Sequence, residues 1–220
     1  MRLSNLEHLA FEALKKNKLL VFGVKDIAVL LSFDKTKTYN IIKSLKKKKA
    51  IETIKSGLFA LKDADEFVVG AHLNWPAYLS FWSALNYYGF SDQMPKKIFF
   101  ASAKYKKRVK NFWFVTLSKK RFFGYTAIGE IIIAEKEKTF IDCLLFPKYA
   151  GGINQIFESL KNSLKEISIK KMAAYAIKTN SKAVIRRLGF LLEKLGEKKY
   201  SKMLLKKKAK GFELLDPSQK

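Results

Sequence analysis

The sequence predicts an α+β protein: a small helical segment closed by a hairpin over residues 1–62, then a larger mixed α/β region over 63–220 with a small sheet and a helical C-terminal part. Three observations predict this. Up to residue 61 the apolar spacing changes from the 3–4-residue period of helices to short β-like runs. From Pro76 onward one helix, a block of β-rich stretches and a block of helices follow in turn, unlike the alternation of a parallel α/β sheet. Hydrophobic residues make up 48% of the 220-residue chain and aromatics 14%, enough to pack a core despite the charge.

The first segment begins with Ser4 and Glu7, spaced as a capping box ahead of Leu6, Leu9, Ala10, Ala13 and Leu14 on one helical face. Gly23 interrupts, and Val24–Leu31 forms a second helix with Ile27, Ala28, Leu30 and Leu31. After Ser32-Phe33-Asp34, Asp34 caps a third helix whose apolar face is Tyr39, Ile41, Ile42 and Leu45. It dissolves into Lys46–Lys49. Residues 51–54 and 58–61 then read as two short strands around the turn Lys55-Ser56-Gly57. Three helices followed by a hairpin is the order of a winged helix-turn-helix.

In such a module the early, outward side chains of the third helix meet base edges. Here these are Lys35, Thr36, Lys37, Thr38, Asn40 and Lys43. Lys suits phosphates and guanine acceptors, Asn matches the donor–acceptor pair of adenine, and Thr serves either strand. Lys46 and Lys47, with Lys48 and Lys49, are expected on phosphates, and Lys55 with Ser56 at the wing tip.

The charge supports a polyanionic partner. There are 44 Lys+Arg against 19 Asp+Glu, a net of +25. Residues 1–62 carry 14 basic and 5 acidic side chains, 63–150 carry 13 and 8, and 151–220 carry 17 and 6, so the excess concentrates at both ends. Lys62-Asp63-Ala64-Asp65-Glu66, an acidic patch in a basic chain, marks the boundary between the two regions. A second basic cluster, Arg186, Arg187, Lys194, Lys198, Lys199 and Lys202, fits either additional DNA backbone or the face of an acidic partner.

In the second region residues 77–88 read as one helix with Leu79, Trp82, Leu85 and Tyr88 on its apolar face, closed by Gly89. β-rich stretches follow at 97–103, 112–117 and 125–134. Helices are predicted at 136–146, stopped by Pro147, and at 152–164, 169–178 and 182–195.

Several chemistries are excluded on sequence grounds. One Cys and two His leave no disulfide framework and little to build a zinc site from. No apolar run approaches the ~20 residues of a membrane span, and the amphipathic, acid-containing N-terminus is no signal peptide, so a cytoplasmic protein without membrane contact is expected. A metal nuclease would want Glu-x-Lys after the Ile131–Ala134 strand, but Glu135 is followed by Glu137, and both suit a helix start. Cys143 lies on an apolar helix face, and neither His8 nor His72 has an acid–nucleophile partner. Gly151-Gly152 lacks the further Gly and Lys of a phosphate loop and reads as a turn. Trp75, Trp82 and Trp113 could stack bases, yet isolated Trp at such spacing reads as core. The protein is expected not to be an enzyme and to carry no cofactor or metal.

Three segments carry a resemblance: WSALNYYGFSDQMP at 82–95, EKTFIDCLLFPKYAGGINQI at 137–156 and RRLGFLLEKLG at 186–196. Together they resemble the AbiEi family of antitoxins of type IV toxin–antitoxin systems, over nearly the whole chain. The most specific part surrounds Glu137-Lys138-Thr139, Asp142, Pro147 and Gly151-Gly152. The resemblance implies an N-terminal winged helix that represses its own operon by binding inverted repeats as a homodimer. It implies further that the C-terminal domain counters a nucleotidyltransferase-like toxin protein. The chain departs from the family in its charge and its Lys-rich tail, Lys206–Lys210. The alternative is a protein-interaction module that neutralises a partner, with DNA contact secondary.

Overall fold

A computed structural model describes residues 3–105, 108–206 and 213–217. The chain divides into two compact units, 1–73 and 74–220. The first therefore extends past residue 62, and the acidic patch is no linker. Asp65 accepts the Phe67 N–H at 2.7 Å and so starts another helix.

The first unit runs α1 (Asn5–Lys16), β1 (Val21–Gly23), α2 (Val24–Leu31), α3 (Lys35–Lys47), β2 (Ile51–Lys55), β3 (Leu58–Leu61) and α4 (Glu66–Leu73). The Ser4–Glu7 capping box starts α1, and Asp34 caps α3 by accepting from the Lys37 N–H at 2.9 Å. Ser32, at a left-handed φ of 52°, ends α2 and sets up the turn into α3. Where the sequence predicts only a break at Gly23, Val21–Gly23 forms a strand. Its pairing with Leu58–Ala60 is non-local, so nothing in the neighbouring residues announces it. The resulting antiparallel sheet has the order β1-β3-β2.

Ala10, Leu14, Phe22, Ile27, Ile41, Ile42, Leu45, Ile51, Phe59 and Leu61 make one core between helices and sheet. Two residues expected on apolar faces are outside it: Leu9 is 55% exposed and Tyr39 50%. The 3.6-residue turn puts Leu9 opposite the Glu7–Ala10–Leu14 line, and Tyr39 off the Thr38–Ile42–Leu45 line.

The second unit begins differently from the single helix predicted over 77–88. Ala77–Leu79 is a strand, β4, and only Phe81–Tyr87 is helical, α5. All three β4 side chains are buried because the strand lies inside the sheet. Tertiary pairing there overrides the helical spacing. At the end of α5 Gly89 takes φ +73° and the Phe90 N–H reaches the Leu85 carbonyl at 2.8 Å, the expected glycine closure.

Next come β5 (Ile98–Ser102), β6 (Arg108–Val109) and β7 (Phe112–Thr116). The stretch 125–134 is a hairpin rather than one strand, β8 (Tyr125–Ile128) and β9 (Ile131–Ala134), turned at Gly129 with φ +58°. The mixed sheet has the order β6-β7-β5-β4-β9-β8, with β5/β7 and β4/β9 parallel and the other pairs antiparallel.

The helices are α6 (Lys136–Leu145), α7 (Ile153–Ser163), α8 (Ile169–Thr179), α9 (Lys182–Lys194) and α10 (Lys198–Lys206). The last was not expected, since its charge reads as a tail. Ser201 and Leu204 nevertheless bury against α9. Lys207–Lys210 of the predicted tail lie outside the described residues.

Nearly every residue of α6 is buried, so its polar side chains bring their partners with them. Lys138 pairs with Asp142 one turn on, and its ammonium donates to the Tyr78 hydroxyl at 3.0 Å. Asp142 also accepts from Ser80 at 2.8 Å and Tyr78 at 3.1 Å.

Candidate nucleic-acid interface

The outward face of α3 is built by what its inward face buries. Ile41, Ile42 and Leu45 fix the helix against the core, which leaves Lys35, Thr36, Lys37, Asn40, Lys43, Lys46 and Lys47 exposed. Thr38 is the exception and corrects the expectation. It is fully buried, and its hydroxyl donates back to the Asp34 carbonyl at 2.8 Å, one turn earlier, so it is turned into the helix instead of meeting a base. Tyr39, missed as an outward residue, stands exposed between Thr36 and Lys43 on neighbouring turns. Its burial state could not be read from an apolar pattern that counts tyrosine as core.

Among the described residues, Lys35, Lys37, Lys43, Lys46 and Lys47 make no ion pair with a carboxylate. Their field is therefore uncompensated at short range. The Lys37 ammonium lies 4.2 Å over the Phe33 ring, which aims it at the start of the helix. The helix dipole there is met by the Asp34 carboxylate that caps α3.

Lys48 departs from the phosphate-contacting run. It pairs with the buried Glu7 of α1, which also accepts from the Ser44 hydroxyl and, at 2.6 Å, from the Ser4 N–H. Lys48 first, then Ser44 and the Ser4 amide, hold the Glu7 carboxyl down at about 2. One acid thus ties α1 to α3 and sets the orientation of the exposed face.

The β2–β3 turn is exposed at Ser56 and Gly57, and Gly57 adopts φ +73° with open space around it. Lys55 is exposed too, but its ammonium donates to the Leu73 carbonyl at 3.2 Å, which anchors β2 to the end of α4.

The second basic cluster does not hold together as one surface. Arg187 is buried, and its guanidinium donates to the carbonyls of Leu144 at 2.6 Å and Leu214 at 2.9 Å. It closes the C-terminal end of α6, where carbonyls lack helical partners, and desolvation lowers its pKa. Arg186 lies 3.9 Å from the Glu213 carboxylate. Lys194, Lys198, Lys199 and Lys202 are exposed.

The acids weighed for hydrolysis are engaged at the start of α8. Glu135 accepts from the Tyr175 hydroxyl and pairs with Lys171 at 3.2 Å; Glu137 accepts from the Ser168 N–H at 2.9 Å and pairs with the same lysine at 3.2 Å. Cys143 is fully buried, and desolvation pushes its thiol pKa up. Among the described residues no group of three His, Cys, Asp or Glu could hold a metal ion. No helix among them is long and apolar enough to cross a membrane.

Of the three tryptophans read as core, Trp75 is 51% exposed, and Trp82 and Trp113 are half-buried.

No protein-family profile matches the chain, and no curated protein matches it. A solved structure, that of the RV2827C protein from Mycobacterium tuberculosis, superposes with a TM-score of 0.66 at 14% sequence identity, covering 96% of this chain and 84% of that one. At that identity the likeness extends to the fold.

Proposed function

We propose that residues 1–73 are a winged helix-turn-helix that reads double-stranded DNA, with α3 in the major groove and the Ser56-Gly57 turn as its wing. The single observation that carries this reading is the outward row Lys35, Thr36, Lys37, Asn40 and Lys43, exposed and without acid partners among the described residues. The element order α1-β1-α2-α3-β2-β3 supports it, with a third strand bracing the hairpin. Lys46 and Lys47 add sequence-independent phosphate contact. Asn40 and Lys37 carry base discrimination, because an amide and a cation early in the helix match adenine and guanine edges.

As a function we propose transcriptional repression of the protein's own operon by a homodimer on inverted half-sites. The resemblance adds an antitoxin role against a nucleotidyltransferase-like toxin, carried by residues 74–220. Lys138, Asp142, Arg187 and Gly89, which lie within the segments that carry the resemblance, serve packing and helix closure in this fold.

The test is retention of the protein's own promoter fragment against a scrambled fragment of equal length across a salt series. Tighter binding of the promoter at every salt concentration is expected. Equal affinity for both fragments would reduce α3 to a nonspecific cationic surface. For the antitoxin role, a neighbouring reading frame encoding a nucleotidyltransferase, whose toxicity is relieved by co-expression, is the expected result; persistent toxicity would remove that half.

A further inference from the structure

A cleft of about 540 Å³ opens at one end of the second unit's sheet, lined by Tyr105, Arg108, Trp113, Phe146, Lys148 and Tyr149 among others. Its size lies within the ~300–1,000 Å³ range of small-ligand sites. The DNA-reading proposal does not use it, and it lies wholly inside residues 74–220.

The cleft is built by pairing in the sheet. Arg108 on β6 sits directly across from Trp113 on β7; its guanidinium carbon lies over the indole at 5.7 Å from the centroid, and the Lys97 ammonium lies over the same ring at 4.1 Å. On the parallel side Trp113 is in register with Phe99, whose ring meets it edge-on at 6.2 Å. Phe99 also supports Tyr149 at 5.7 Å, and Phe146 lies against Tyr149 at 6.2 Å. The aromatic planes are thus held from behind by core residues. Lys148, exposed beside Tyr149 in the turn Pro147–Tyr149, places its ammonium 4.9 Å from that ring. The lining carries two cations and no carboxylate. Neither Arg108 nor Lys148 makes an ion pair among the described residues.

Flat rings next to unpaired cations are complementary to a ligand with a π-face and an anionic group a few ångströms away. We propose that this cleft binds a mononucleotide, with Arg108 and Lys148 swinging off the faces of Trp113 and Tyr149 to hold the phosphate and the base stacking on the rings in their place. The planar fork of Arg108 suits two phosphate oxygens at once, while Lys148 acts as a point charge. Base stacking on aromatic side chains tolerates any base, so discrimination between bases is weak and the phosphate is required. An acidic peptide would satisfy the cations but leave the ring faces unused.

All three tryptophans, Trp75, Trp82 and Trp113, lie in this unit, which makes the test direct. AMP, adenosine and a short single-stranded oligoadenylate are titrated into the full chain in high salt, following tryptophan fluorescence. AMP is expected to quench with saturation at one per chain, and adenosine far less. R108E and K148E, at surface positions that leave folding intact by circular dichroism, should each weaken AMP by about tenfold or more. W113F should lose most of the quench, and Lys165→Ala, at an exposed lysine outside the cleft lining, should leave AMP affinity unchanged. Three results would overturn the proposal: no saturable AMP binding at millimolar concentration, unchanged affinity in both charge variants, or binding of the oligonucleotide without binding of AMP.

Discussion

Neutralising Lys46 and Lys47 together should change the salt dependence of DNA binding far more than its sequence preference. Both lie in the last turn of α3, exposed and without acid partners among the described residues. Lys35, Lys37, Lys43, Lys46 and Lys47 are the unpaired cations of that helix, while Lys48 is committed to Glu7 and Lys55 to the Leu73 carbonyl. If each unpaired lysine neutralises one phosphate, each protomer contributes a slope of about −4.5 to log K against log salt, a loss of roughly 500-fold per protomer between 50 and 200 mM salt. The double variant K46A/K47A should reduce the slope to about −2.7 and the loss to roughly 40-fold per protomer, equally on promoter and scrambled DNA. Fluorescence anisotropy on labelled duplexes at four salt concentrations measures both slopes. As the contrasting arm, N40A should keep the slope and cost about 1–3 kcal/mol on the promoter alone. An unchanged slope in K46A/K47A, or a loss confined to one sequence, would refute the assignment of these lysines to phosphate.

Three further outcomes follow from the packing. Asp142→Ala leaves the Lys138 ammonium buried without its counter-ion and should destabilise the second unit by about 3–5 kcal/mol in urea titrations followed by tryptophan fluorescence; a change under about 1 kcal/mol would show the pair to be hydrated. The Glu7 carboxyl titrates near 2 when folded against an ordinary 4.5, so its stabilisation is full above pH 4.5 and fades as pH falls toward 2. Protection factors of the α1 amides, corrected for the intrinsic pH dependence of exchange, should therefore fall across that window in the wild type and fall less in E7Q. Cys143, buried with its thiol pKa raised, should resist an aromatic disulfide reagent in the native protein and react at once in denaturant; rapid native labelling would mean that α6 opens.

Much of the first unit is legible residue by residue because its signals are local. The Ser4–Glu7 box, Asp34 before α3, and Gly57 at the hairpin turn each act within four residues of themselves. The failures share one cause. β1 and β4 exist through partners 35 or more and 21 or more residues away, respectively, and nothing in Val21–Gly23 or Ala77–Leu79 encodes those partners. The same holds for polar side chains. Arg187 and Lys194 both read as surface cations of one helix, yet one ends on a buried carbonyl and the other in solvent. Thr38 among its exposed neighbours is the smallest instance, one residue turned inward by the helical period.

By itself, then, the sequence determined that the segments after Ser4 and Asp34 become capped helices, that the charge is strongly positive, and that cations cluster on the third helix. Those properties depend on composition and on neighbours close in the chain. Only the tertiary structure decided which of those cations remain free, which one orients α3 through Glu7, and that Trp113 sits beside Arg108 with Phe99 behind it. Burial and charge pairing are set by groups far apart in sequence, and they exist only once the chain has closed on itself.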